Sequence, residues 1–177
     1  MRVIGGRTKA AMIRDARFSK DGLHRYWLWR EWDTTRPAMA SLSINPSVAD
    51  AARDDQTIRK DVGFANRWGF GCVWKLNLFT RVATESRDLL SIPKDEWNGP
   101  EANETIRVVV RDVRRVVIAY GRFEHLRAEV DRRALQVRRI LRAEVQCPVG
   151  TFGRNKDGSP PHPLMLPYST GFVEIAL

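Results

Sequence analysis

The sequence predicts a single α/β domain: a central, mostly parallel sheet of four to five strands with helices on both faces. Three observations lead there. Apolar runs rich in β-branched residues alternate with stretches whose apolar positions recur at helical spacing, the pattern of βαβ units. The length of 177 residues suits one domain, and at that size roughly two-thirds of the unfolded chain's surface can be buried. No internal repeat, low-complexity tract or long linker divides the chain, so residues 1–177 are taken as one unit.

The elements follow in order. Leu23 to Trp32 alternates aromatic and charged residues after the turn signal Asp21-Gly22 and reads as a strand near the N-terminal edge. Pro37 punctuates, and Ala38 to Ile44 is a short strand of small, buried-type residues ending at Asn45-Pro46-Ser47. From Asp55 to Trp68 the residues Ile58, Val62, Ala65 and Trp68 share a helical face, with Asp54 or Asp55 as the N-cap and Gly69 as the stop. Cys72 to Phe79 is a second buried strand, and Thr80 to Asn98 is irregular, broken by Pro93. Pro100 opens a helix through Ile106, Val109, Val110 and Val113. Arg115 to Tyr120, closed by Gly121, is a third core strand. Phe123 to Leu141 is the longest helical pattern, with Leu126, Val130, Val137 and Leu141 on one face. Glu144 to Val149 is read as a fourth strand, Gly150 to Pro163 as a Gly/Asn/Pro-rich loop, and the closing residues as an edge strand.

Composition narrows the function classes. Apolar residues are 43% and charged residues 29%, which excludes a disordered tail, a collagen-like chain and a disulfide miniprotein. Two cysteines, Cys72 and Cys147, build neither a multi-bridge framework nor a four-cysteine metal site. No apolar run is long enough to span a bilayer, and the basic segment Met1 to Ala16 lacks the apolar core of a signal peptide. A cytoplasmic protein is the expectation. There is no P-loop, no dinucleotide fingerprint, no GxSxG elbow and no metal-ligand spacing among His24, His125 and His162. The chemistry left to the chain uses amides, a histidine and a carboxylate, with no metal or cofactor implied.

The net charge is +9, carried by 24 arginines and only 6 lysines. Between Arg107 and Arg142 stand eleven arginines against four carboxylates, so this window supplies +7 of the total. Such a surface is either a solvated helix face or a grip on an anionic polymer, with nucleic acid the natural partner. Arg132, Arg133, Arg138 and Arg139, with Lys156 in the late loop, are the candidate nucleic-acid contacts. In open α/β sheets ligands bind outside the carboxyl ends of the strands. Asn45, Asn77, Gly121 and the loop before His162 all fall there.

The run Ile44-Asn45-Pro46-Ser47-Val48-Ala49-Asp50, then Asp54 to Arg59, Gly63-Phe64-Ala65 and Trp68-Gly69, resembles the bacterial and phage domain-of-unknown-function family sixteen-forty-three. Arg25-Tyr26, Asn77-Leu78-Phe79 and His162-Pro163-Leu164 extend that likeness over nearly the whole chain. A more distant likeness is to the uracil-DNA glycosylase superfamily, whose ordered motifs are similar to a strand ending in Asn45-Pro46, Leu76-Asn77, the apolar strand Val117 to Gly121, and His162-Pro163. The histidine loop lacks its second Ser-Pro, and Asn45 stands where other members carry an acid.

That second resemblance implies a DNA glycosylase-like hydrolase for a deaminated or modified pyrimidine, hypermodified phage bases included, acting on double-stranded DNA. Roles in DNA repair or phage defence go with it. Asn45 and His162 would be catalytic, one orienting water and the other stabilising charge on the departing base. Asn77 would read the base edge. Pro46, Ser47, Phe64, Gly121 and Leu164 would line the substrate site, with Tyr26 a further stacking candidate. Leu164 or Met165 would be the inserted wedge. Each residue also has a plainer reading: turn, sheet or loop structure for Asn45, Asn77 and His162, core packing for Phe64 and Tyr26, and helix capping for Asp50, Asp54 and Asp55. Two other classes stay open, a non-catalytic nucleic-acid-binding module and an enzyme on a free nucleoside or nucleotide. Oligomeric state is not legible.

Overall fold

A computed structural model of the protein describes residues 11–47 and 49–177. Part of the basic segment 1–16, and Val48 of the Ile44–Asp50 run, lie outside the described residues. The strands β1 (Ile13–Phe18), β2 (Arg25–Glu31), β3 (Ala38–Ser43), β4 (Cys72–Asn77), β5 (Val116–Ile118), β6 (Val149–Thr151) and β7 (Val173–Glu174) form one sheet in the order β1-β2-β4-β3-β5-β6-β7. The helices are α1 (Gln56–Arg67), α2 (Ala102–Asp112) and α3 (Arg127–Glu144).

The α/β class and the helices on both faces stand, but the sheet has seven strands and is mixed. β4-β3-β5-β6 pair in parallel, while β1-β2, β2-β4 and β6-β7 are antiparallel. β1 escapes the sequence because it is an almost wholly exposed edge strand, so it carries no apolar alternation. Its turn into β2 is the anticipated Asp21-Gly22, with Gly22 at φ +73° and the Asp21 carboxylate accepting from Ser19 Oγ at 2.5 Å. The segment read as a strand from Glu144 is chain between α3 and β6; Pro148 has no N–H for the ladder, and pairing begins at Val149.

Alternation along β3 and β4 separates the two faces. Ala40, Leu42, Leu76, Val116 and Ile118 pack with Ile106, Val109 and Val110 of α2 and Val130 and Val137 of α3. Met39, Val73, Val117 and Ala119 face the other way and pack with Phe64 and Ala65 of α1. On this second face the strands also carry Ser41, Ser43, Lys75 and Asn77, and the register sets Ser41 opposite Lys75 and Ser43 opposite Asn77. From β3 the chain crosses through α1 to β4 on one side, then through α2 to β5 on the other, so connectivity reverses at β3. A crevice opens at such a point. Among the described residues no helix is long and apolar enough to cross a membrane.

Candidate functional site

Two arginines of β2 build the loop that rims the crevice. Arg30 is fully buried; its Nε donates to Asp54 Oδ1 at 2.7 Å and its Nη2 to the Asp50 carbonyl at 2.5 Å. Arg25, 2% exposed, donates through Nη1 to the Ala49 carbonyl at 2.6 Å and through Nη2 to Asn77 Oδ1 at 3.3 Å. Burial pulls its guanidinium down to about 10, and the like charge of Arg30 acts in the same direction. Asp50 closes a turn by accepting the Ala52 and Arg53 N–H groups, and Asp54 pairs with Arg30 and Arg14. Asp55 is the N-cap of α1, accepting from the Ile58 N–H at 2.8 Å and from Ser47 Oγ at 2.5 Å. Burial raises its carboxyl, but those two hydrogen bonds and the charges of Lys75 and Arg25 together hold it below the usual range.

Beneath the crevice lies a buried polar cluster. Lys75 Nζ donates to Asp61 Oδ2 at 2.6 Å, Ser43 Oγ at 2.5 Å and Ser41 Oγ at 3.1 Å, and Ser41 Oγ donates to Asp61 Oδ1 at 2.9 Å. All three protons of the ammonium are taken, which is what keeps a buried charge tolerable.

Above it is a cavity of about 150 Å³, and Asn45, Asn77 and His162 all line it. The Asn45 amide donates to the Pro46 carbonyl at 3.1 Å and the Ala83 carbonyl at 2.9 Å, so both protons are spent and only its oxygen has capacity to accept. Asn77 is 3% exposed, and while its oxygen accepts from Arg25, its Nδ2 is buried without a partner. Arg25 Nε is likewise buried and unpartnered. His162 Nδ1 accepts from the Leu164 N–H at 3.4 Å, which leaves the ring proton on Nε2. Burial, reinforced by the Lys75 ammonium, pushes its pKa down to about 4, so the ring is a neutral donor at pH 7. Gly121 stands behind it at φ +81°, and a Cβ there would come within 3.0 Å of His162 Cβ. The cavity therefore offers donors from Arg25, Asn77 and His162, with the Asp55 carboxylate also in its wall, and suits a small neutral ligand that carries both carbonyl and N–H groups.

Other anticipated residues lie elsewhere or serve differently. Phe64 is fully buried among Trp68, Phe152 and Tyr168, with ring centroids 4.6–5.5 Å apart, and does not reach the cavity. Tyr26 is a core residue. The aromatic at the cavity wall is Phe123. Pro46 is buried and holds the Asn45 amide, and Ser47 lines the cavity while bonded to Asp55. Leu164 is half-buried and does not line the cavity, its N–H donating to His162, and Met165, 88% exposed, is the projecting apolar residue. Arg133 is 6% exposed and structural: its Nε donates to the Leu78 carbonyl at 2.7 Å and its Nη1 to Asn103 and Gln136 at 2.6 Å. Arg132, Arg138, Arg139 and Lys156 are exposed. Sequence reasoning misses Arg25, Lys75, Asp61 and Ser43 as site residues, although a charge inside each of two apolar strands, with Asn77 two residues beyond Lys75, is a readable signal.

Among known proteins, the family model described as "Protein of unknown function (DUF1643)" matches residues 25–164. The chain belongs to this family. The match spans the elements from β2 to the His162 turn, so the family region contains the whole cavity. Searches of curated proteins and of solved structures found no match.

Proposed function

We propose that this member of the family is a DNA glycosylase-like hydrolase that cleaves the N-glycosidic bond of a deaminated or modified pyrimidine. The observation that carries the reading is the meeting of Asn45, Asn77 and His162 around one ring-sized, donor-rich cavity. Sites for drug-sized ligands run to roughly 300–1,000 Å³, so about 150 Å³ suits a single heterocycle. Asn77 Nδ2 and Arg25 Nε offer donors to ring carbonyls. The Asn45 oxygen accepts from a water and orients it toward C1′. As the C1′–N bond breaks, its electron pair leaves on the base, and the neutral His162 Nε2–H stabilises the charge that develops. The water oxygen bonds to C1′, and its proton ends on the departing base. Phe123 offers a stacking face, and the exposed Met165 would fill the gap left by an extruded base.

One observation favours a second reading, an enzyme for a free nucleoside or nucleotide. The exposed candidate contacts Arg132, Arg138 and Arg139 belong to α3, which packs on the opposite face of the sheet from Lys75 and Asn77. Purified protein should be incubated with duplexes holding uracil, mismatched or hydroxymethylated pyrimidines, followed by alkali at abasic sites, and in parallel with the free nucleosides. Base release from duplexes that is lost in His162→Ala and Asn77→Ala supports the first reading. Release from nucleosides alone replaces it with the second. Salt-sensitive binding without any release reduces the protein to a binding module.

A further inference from the structure

A second cavity, of about 100 Å³, lies between α3 and the loop at 153–160, and shares no lining residue with the first. The two stand back to back across the sheet: Leu42 and Leu78 line this one, while their chain neighbours Ser43 and Asn77 line the other. Its floor is apolar, built from Leu42, Leu78, Ile118, Val137 and Ile175.

Two features show that the floor is not merely loose packing. Thr151 lines the cavity, is 4% exposed, and its Oγ1 is buried without a hydrogen-bond partner. An unmade hydrogen bond of that kind is expensive unless a ligand or an ordered water supplies the missing atom. Arg138 and Arg154 also line the cavity, while no carboxylate does. Arg138 spends one donor on the Ala176 carbonyl at 2.8 Å, and Arg154 has no ion-pair partner among the described residues. The loop that closes the cavity is itself fixed, since Asn155 and Ser159 bond each other through backbone and side chain at 2.9 Å and Asp157 pairs with Arg122 and Arg127.

We propose that this cavity is a second ligand site, selective for a small carboxylate with an apolar body of about one ring. The body covers the aliphatic floor, and the carboxylate takes Arg154 and the free edge of Arg138. A carboxylate oxygen turned inward accepts from Thr151 Oγ1. The site is independent of the hydrolase reading, because no residue of the first cavity takes part.

Benzoate is the probe, with benzyl alcohol as its uncharged match and inorganic phosphate as the anion without an apolar body. Binding is followed by amide chemical shifts of Thr151, Gly153 and Gly158 and by calorimetry. Benzoate is expected to titrate all three amides, with benzyl alcohol and phosphate each weaker by about tenfold or more. Arg154→Ala, at an exposed position, should lower benzoate affinity by about tenfold without altering the fold. Ala134→Leu should occlude the floor and abolish the titration. No shift at these amides up to the solubility of benzoate overturns the site. So does equal response to benzoate and phosphate, or benzoate binding that survives Arg154→Ala unchanged.

Discussion

Lys75 Nζ and Asp61 Oδ2 meet at 2.6 Å, both almost fully buried, directly under the cavity that Asn77 and His162 line. Taking either charge from water alone is costly, and the pair is tolerated because each partner satisfies the other together with Ser41 and Ser43. Lys75→Met is expected to destabilise the protein by about 3–5 kcal/mol, since it strands the Asp61 carboxylate. The double variant Lys75→Met/Asp61→Leu should recover most of that loss. Urea unfolding midpoints for the two variants decide it, and a single variant within about 1 kcal/mol of wild type would contradict a fully desolvated pair.

The pH dependence follows from His162. Its pKa is depressed from 6.5 to about 4, first by burial and then by the Lys75 ammonium, so the unfolded chain binds a proton that the folded ring refuses. Its contribution is fully present above pH 6.5 and is lost as pH falls toward 4, a change of about 3 kcal/mol. The imidazole resonances should titrate near 4, and His162→Gln should flatten the stability profile across that window. A ring titrating near 6.5 would mean that it is solvated, not held over the cluster.

Much of this is legible in the sequence and some of it is not. α1 is legible from Asp55 to Gly69 because cap, apolar face and stop agree. Asn45, Asn77 and His162 are legible as a group because Asn77 ends a strand, Asn45 follows one and His162 follows a loop, all at the carboxyl edge of the sheet. The polar cluster is legible only in part: Lys75 inside an apolar strand is a signal, but its partners are not, since Ser41, Ser43 and Asp61 meet it only once the register sets Ser41 opposite Lys75 and the fold turns that face onto α1. The role of Arg133 is likewise legible only in part. Composition does not separate it from Arg132, Arg138 and Arg139; its place on the buried face of α3, between Val130 and Val137, does, and the Leu78 carbonyl shows what it does there.

The same geometry accounts for an amide at position 45. Both Asn45 protons are committed to main-chain carbonyls, of Pro46 and Ala83. An aspartate would place a carboxylate against two carbonyl oxygens; the Pro46 carbonyl keeps the Ala83 N–H at 3.0 Å, but the Ala83 carbonyl loses its donor, at a cost of about 1–3 kcal/mol for that unsatisfied group. Asn45→Asp is therefore expected to lower the unfolding midpoint, even though it introduces a potential general base. Asn45→Asp with unchanged stability would show that the amide is not anchored by those carbonyls.

The arginines of α3 divide by the same test of partners. Arg133 satisfies the Leu78 carbonyl, Asn103 and Gln136 from a buried position, so Arg133→Met should destabilise by about 1–3 kcal/mol. Arg132 and Arg139 are exposed, and removing both should shift stability by no more than about 0.5 kcal/mol each. If nucleic acid is the partner, the double variant Arg132→Ala/Arg139→Ala lowers the slope of log affinity against log salt by about 0.9 for each phosphate the protein no longer neutralises. Arg133→Met should leave that slope where it was, because a guanidinium already bonded inside the protein cannot release a counterion at the surface. The slope of each variant therefore separates the arginines that grip an anionic partner from the one that holds α3 to the sheet. A slope lowered by Arg133→Met in a still-folded protein would reverse that assignment.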